Sequence, residues 1–270
     1  MGKRARPLPK AKKAPANTLE GWSKIILRDT KPLPPPVSAA RKPVSPPPAK
    51  PPVARPAPAE VEWFWDLEQG TDEWFAIRLG VPTASNFRIM MATGRDDEES
   101  KTRARLMRVL AGEILTGAPA EGKIITAAME RGKEMEADAR AYYERTHFVD
   151  VRQVGFIRRR LPSGHWAGCS PDGMIGERRA LEIKTMAPDL MIERLERGAG
   201  LPPEHRAQVH GTMWVADLEE VDLLLFYRGM PVNPIFTIRR DETFIREITR
   251  AVETFEYETR SLVEKIRRMG

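Results

Sequence analysis

The runs Ser170-Pro171-Asp172-Gly173 and Leu181-Glu182-Ile183-Lys184 hold the residues best suited to chemistry in this sequence. The second run reads as a strand. Side chains alternate across a strand, so Glu182 and Lys184 share one face while Leu181 and Ile183 share the other. Charges set among core-forming residues are costly unless something compensates them. A hard divalent cation would do so: Asp172 and Glu182 offer oxygen ligands to magnesium, which keeps several waters and accepts phosphate oxygens. Such an ion acidifies a bound water and offsets charge on a phosphorane-like transition state, with Lys184 orienting that water or the scissile phosphate. The same spacing also fits a surface carboxylate–lysine pair or a buried structural salt bridge. The Ser-Pro-Asp-Gly segment, the apolar framing and a carboxylate-rich helix upstream favour the metal site.

Positioning these residues takes helices before and after a cluster of strands. Trp63 to Trp74 reads as an aromatic, acidic lead-in loop ending in a short helix. Thr83 or Ser85 can cap a helix carrying Phe87, Ile89, Met90 and Met91. Helical periodicity covers Arg103 to Leu115, stopping near Gly117, and Ala127 to Arg145. Strands are expected at Val151 to Ile157, His165 to Cys169 and Ala180 to Lys184, with Gly173 to Glu177 as an intervening loop. Helices follow at Pro188 to Arg197 and Pro203 to Val215, each opening on a proline. Strands at Val221 to Tyr227 and Ile235 to Ile238 precede a long helix from Asp241 to Met269. This order predicts one mixed sheet covered on both faces by helices.

Charge is divided unevenly. Residues 1–59 hold 13 of the 44 basic side chains, 2 of the 38 acids and 15 of the 24 prolines, a net of +11. The other 211 residues carry a net of −5. Pro34-Pro35-Pro36, Pro46-Pro47-Pro48 and Pro51-Pro52 favour extended polyproline conformations, so a disordered basic tail is expected at 1–59 and a single folded domain at 60–270. That tail either solubilises the chain or holds nucleic acid loosely through phosphate neutralisation. Within it, residues 17–29 place Leu19, Trp22 and Ile26 near one helical face, a possible short interaction segment, although Gly21 weakens such a helix. The single Cys169 excludes a disulfide scaffold, a zinc ribbon and an iron–sulfur cluster. No run matches a membrane span or a secretory signal, so a soluble, intracellular protein is expected.

Four blocks together resemble the phage lambda exonuclease and YqaJ-like viral recombinase family. They are Gly132-Lys133-Glu134-Met135-Glu136-Ala137-Asp138-Ala139-Arg140, Cys169 to Gly173, Leu181 to Lys184, and Ala207-Gln208-Val209-His210-Gly211-Thr212-Met213-Trp214-Val215. Arg78-Leu79-Gly80-Val81-Pro82-Thr83-Ala84-Ser85 is similar to the family's N-terminal motif. The blocks keep the family's order from about Trp63 to the C-terminus and leave the tail unmatched. The resemblance implies an α/β fold, a restriction-endonuclease-like mixed central β-sheet flanked by helices, and the PD-(D/E)xK site. It further implies a magnesium-dependent exonuclease, with manganese as a substitute, that degrades one strand of duplex DNA from its 5′ end and exposes 3′ single strands.

By position, the resemblance makes Asp172 and Glu182 the metal ligands, Lys184 the catalytic lysine, Glu136 the helical glutamate of the site and Gln208 the glutamine beside it. Arg78, Ser85 and Ser170 match the positions that hold the terminal 5′ phosphate. A guanidinium fork with hydroxyls near a helix start suits that anion, while Ser85 as a helix cap and Arg78 as a surface cation are the plain alternatives. Implied partners are duplex DNA ends, a single-strand annealing protein and two further copies in a trimeric ring. The implied setting is the host cytoplasm or nucleoid. His205 and His210 stay outside the metal site, because magnesium prefers oxygen. Arg158-Arg159-Arg160 either contacts phosphate backbone or faces water. An endonuclease or repair nuclease on the same core remains open, as does a non-catalytic scaffold that binds DNA ends.

Overall fold

The computed structural model describes residues 60–94, 100–120, 127–198 and 200–270, with residues 127–134 described by backbone alone. The expected tail at 1–59 and its segment at 17–29 lie outside the described residues.

Strand β1 (Val61–Phe64) opens the described chain, followed by helix α1 (Asp72–Arg78), a 3-10 turn (Ala84–Asn86) and the short α2 (Phe87–Met90). Thr71 starts α1 by accepting a hydrogen bond from the Trp74 N–H, which satisfies a backbone donor that has no partner within the helix. Helices α3 (Lys101–Thr116) and α4 (Ala127–His147) come next. Ser100 caps α3 in the same way, and Gly117 closes it in the left-handed region at φ 67°, where a side chain would be strained.

Strands β2 (Phe156–Arg160), β3 (Trp166–Cys169), β4 (Gly173–Ile175) and β5 (Arg179–Thr185) follow. Helices α5 (Pro188–Glu196) and α6 (Pro203–Ala216), strands β6 (Glu220–Phe226) and β7 (Ile235–Arg239), and helix α7 (Glu242–Arg267) complete the chain. Helices α5 and α6 each begin on proline, where the missing N–H loses nothing. Asp241 caps α7 through the N–H groups of Thr243 and Phe244. The buried Ile245, Ile248, Val252, Phe255, Thr259 and Val263 form the inward stripe of α7, spaced as a helix packed on one side requires.

The fold is mixed α/β, as expected, but its strands divide into two hydrogen-bonded sheets where a single one was anticipated. Strands β1, β2 and β3 form an antiparallel sheet, and β4, β5, β6 and β7 form a mixed one in which β5 and β6 run parallel. An isolated antiparallel bridge joins Arg152, in the segment ahead of β2, to Met174 of β4. Two strands escaped the sequence reading: β1 overlaps the start of the expected lead-in loop and β4 lies in the expected Gly173-to-Glu177 loop. Both are too short to show alternation, at four and three residues, and only pairing with distant partners makes them strands. Conversely, the expected strand from Val151 begins only at Phe156.

Helix α6 packs against β2, β3, β5 and β6. Every residue from Val209 to Ala216 is buried, the pattern of a helix enclosed on all sides. Gly211 makes this possible, since a Cβ there would stand 2.4 Å from the Phe87 ring. The central core gathers Phe87, Met90, Ile157, Val209, Met213, Val215, Ile248 and Phe255, each such buried side chain stabilising the fold by about 1.5–3 kcal/mol. A second cluster, with Ala139, Tyr143, Leu181, Ile183, Leu224 and Phe226, fixes α4 to the other face of the mixed sheet.

Candidate active site

Asp172 enters β4 one residue ahead of the strand and is clipped to β5 twice. Its N–H donates to the Leu181 carbonyl at 3.1 Å, and its Oδ2 accepts from the Ile183 N–H at 2.6 Å. Gly173 permits this approach, because a Cβ there would lie 2.2 Å from Cγ1 of Val151. Strand alternation then sends Leu181 and Ile183 into the core against α4 and Glu182 and Lys184 to the opposite face.

Glu182 is 3% exposed. Its Oε1 accepts from Lys184 Nζ at 2.7 Å and from Gln208 Nε2, on α6, at 2.5 Å. These two donors compensate a charge that would otherwise be stranded. Burial pushes the Asp172 carboxyl well above the usual carboxylate range, and the neighbouring Glu182 pushes it further; Glu136 adds a smaller push, while the Ile183 N–H and Lys184 oppose the rise. For Lys184, burial alone would lower the pKa, but Glu182, through charge and hydrogen bond, and then Asp172 and Glu136 outweigh it and hold the ammonium above its ordinary value. Glu136 is half-buried on α4 with Arg140 4.0 Å away. Asp172, Glu182, Lys184, Glu136 and Gln208, which the sequence singled out, are thus drawn together from four elements.

A second group assembles beside β2 and β3. Arg78, at the end of α1, donates to the Ser170 hydroxyl at 2.9 Å, and that hydroxyl donates to the Gly155 carbonyl at 2.9 Å. Burial pushes the Arg78 guanidinium down to about 10, so it stays cationic at neutral pH. Trp74 supports it from below: the guanidinium carbon lies 3.9 Å from the indole centroid, and the indole N–H donates to Gly155 and Ser170. Sequence reasoning passed over Trp74. Its signal was the four-residue spacing from Arg78 on one helix, which stacks the two on one face.

Ser85 stands apart from this pair. It is exposed, and its hydroxyl lies 3.1 Å from that of Thr83. Neither residue caps α2 through its side chain, since the 3-10 turn intervenes. The link to Ser170 is through the backbone: Thr83 pairs with Gly168, on the strand leading to Ser170. Cys169, between the two groups, is fully enclosed, and burial raises its thiol well above the ordinary value, which leaves it a small apolar filler. Burial lowers His205 and His210, with Lys184 adding to the effect at His205 and Arg206 at His210. Among the described residues, no three His, Cys, Asp or Glu side chains form a ready-made metal cluster, and no helix is long and apolar enough to cross a membrane.

The YqaJ-like viral recombinase domain matches residues 73–219, a stretch that contains both groups. Sequence comparison with curated proteins finds no match. Among solved structures, the chain is similar to an alkaline exonuclease from Laribacter hongkongensis, 31% identical with a TM-score of 0.64 over 74% of this chain and 97% of that one. The same enzyme in complex with dAMP gives 32% identity and a TM-score of 0.65 over the same shares. A phage-related exonuclease from Haemophilus somnus shares the fold at 15% identity and a TM-score of 0.51, over 69% of this chain and 96% of that one. With more than half its length matched and all the blocks read from its sequence inside the match, the chain belongs to the YqaJ-like viral recombinase family.

Proposed function

We propose that this protein, an exonuclease by family, hydrolyses duplex DNA from the 5′ end with magnesium and leaves 3′ single strands. The observation that carries the reading is the meeting of Asp172, Glu182 and Lys184 on one hairpin, with Gln208 completing the Glu182 contacts. The donor set suits a hard cation: two buried carboxyl groups, one of them with its pKa raised by burial and by its neighbour Glu182, are relieved by positive charge and offer only oxygen. Asp172 and Glu182 would hold magnesium, or manganese in its place. When bound, the ion supplies an acidified water and a Lewis acid for the phosphoryl oxygens.

Lys184, kept charged by Glu182, donates hydrogen bonds to a non-bridging oxygen of the scissile phosphate or orients the attacking water. Gln208 fixes the rotamer of Glu182. Glu136 faces the same space from α4. Arg78 and Ser170 receive the terminal phosphate, the guanidinium supplying a fork and the hydroxyl a single donor. Ser85 joins them only if its hydroxyl turns away from Thr83. Family membership also supports a trimeric ring around the duplex, a single-strand annealing partner and work in the host cytoplasm or nucleoid.

The deciding experiment follows end-labelled linear duplex with magnesium, with and without a 5′ phosphate. Expected are release from the 5′ end, dependence on the metal and a preference for the phosphorylated end. Equal degradation of closed circular and linear duplex overturns the end-dependent reading.

A further inference from the structure

The triplet Arg158-Arg159-Arg160 is divided by the alternation of β2. Arg159 turns toward α6, donating to the Val215 carbonyl at 3.3 Å with Asp217 3.7 Å away. Arg158 and Arg160 emerge on the other face with Phe64 and Trp166. There the Arg158 guanidinium stands 4.2 Å from the Trp166 ring centroid and 5.2 Å from that of Phe64, and Arg160 stands 5.0 Å from Trp166. Phe64 meets Phe156 at 6.4 Å between ring centroids, and Arg78 lies 5.4 Å from the Phe156 ring. An unbroken series of rings and guanidinium groups therefore runs from Arg78 to Arg160. Phe156 is its buried underlay. Phe64 and Trp166 are half-buried, and the Arg158 and Arg160 side chains are 23% and 46% exposed.

We propose that this face of the three-stranded sheet is a track for single-stranded DNA and receives the unpaired 5′ extension of a duplex end. Rings half-open to solvent offer stacking surfaces to any base, and the interleaved guanidinium groups offer charge to the phosphates, the combination that holds single strands without reading sequence. The direction rests on the reading above. With the scissile phosphate at Lys184, an extended end places an internal phosphate at Arg78 where a blunt end places its terminal one, and whatever continues past Arg78 is the part of the same strand farther toward its 5′ end. From Phe156 to Arg160 the strand spans about 13 Å at about 3.3 Å per residue, the length of roughly four stacked nucleotides. Glu62 lies 2.6 Å from Arg158 and Glu60 3.8 Å from Arg160. These carboxylates hold the arginines in place in the free protein and give them up to phosphate.

The test uses the full chain in metal-free buffer and fluorescence anisotropy with two labelled duplexes, one blunt and one carrying a 5′ extension of about ten thymidines. The native chain is expected to bind the extended duplex about tenfold tighter than the blunt one. Trp166→Ala and Arg158→Ala should each erase most of that difference while leaving blunt binding unchanged, Trp166→Phe should keep it, and Glu62→Gln should enlarge it. Equal binding of the two duplexes by the native chain, or an equal loss on both duplexes in the variants, overturns the track. Degradation of blunt duplex with magnesium is followed in parallel. Its absence in a chain that still prefers the extended duplex rejects the nuclease reading and leaves the track standing.

Discussion

The Lys184 ammonium lies 2.7 Å from the Glu182 carboxylate, two positions along one strand, with Leu181 and Ile183 turned the other way into the core. Removing the ammonium should therefore remove chemistry before it removes the fold. Lys184→Ala is expected to lower the rate of duplex degradation by about a hundredfold to a thousandfold. It should also cost stability, up to about 3 kcal/mol, because Glu182 is left buried with only Gln208. Single-turnover kinetics and urea denaturation separate the two effects. Full activity in a folded Lys184→Ala protein would rule out the proposed site.

Gln208 reaches the same oxygen of Glu182 from α6. Gln208→Ala removes one hydrogen bond to a charged group, worth about 1.5–3 kcal/mol. The expected result is a rate reduced about tenfold or more, with a higher magnesium requirement, since the carboxylate is freer to rotate. A titration of rate against magnesium checks this. An unchanged half-saturation value would assign Gln208 to packing alone.

Asp172 gives a pH dependence with a defined sign. Burial, then Glu182, raises its carboxyl above the usual range. Between the unfolded value and that raised value, the metal-free folded chain binds more protons than the unfolded chain. Its stability contribution therefore falls as pH rises through that window. Magnesium binds the ionised form, so the Tm gained on adding it should grow as pH rises through the same window. Thermal scans with and without the metal measure that gain, and a gain independent of pH would remove Asp172 from the ligand set.

Arg78 and Ser170 should govern the response to the end group. Arg78→Ala is expected to reduce the preference for a 5′-phosphorylated end by about tenfold to a hundredfold, with Arg78→Lys recovering only part, since an ammonium lacks the fork. Rates on phosphorylated and hydroxyl ends give the ratio directly. Preservation of the ratio in Arg78→Ala would return the residue to a structural role above Trp74.

Gly173→Ala tests the packing that lets Asp172 approach β5. The added methyl would meet Cγ1 of Val151 at 2.2 Å, so the variant should lose about 1–3 kcal/mol and more activity than that loss of folded protein explains. Comparing Tm with the rate per folded molecule decides it.

Much of the site was legible because its logic is local. Alternation alone puts Glu182 beside Lys184 and opposite Leu181 and Ile183, and proline or cap residues mark the starts of α1, α5, α6 and α7. What stayed hidden depends on partners far along the chain. β1 exists through pairing with β2, about a hundred positions away, and although Val61, Trp63 and Phe64 favour strands, four residues are too few to announce one. The hydrogen bond from Tyr143 to the buried Asp222, which joins α4 to β6, carries no spacing signal either. Nor does the division of the strands into two sheets, which is a matter of register. The arginine triplet was read as a unit, although strand geometry divides it between two environments.

Both carboxylates proposed to share the ion belong to a single β-hairpin, joined by a turn at residues 176–178. Their separation is therefore indifferent to the lengths of the connections on either side, which leaves those segments open to insertion and to new substrates. The turn has no such latitude: one residue more or less there would turn Leu181 and Ile183 toward the candidate site and bury the acid and the ammonium among apolar side chains.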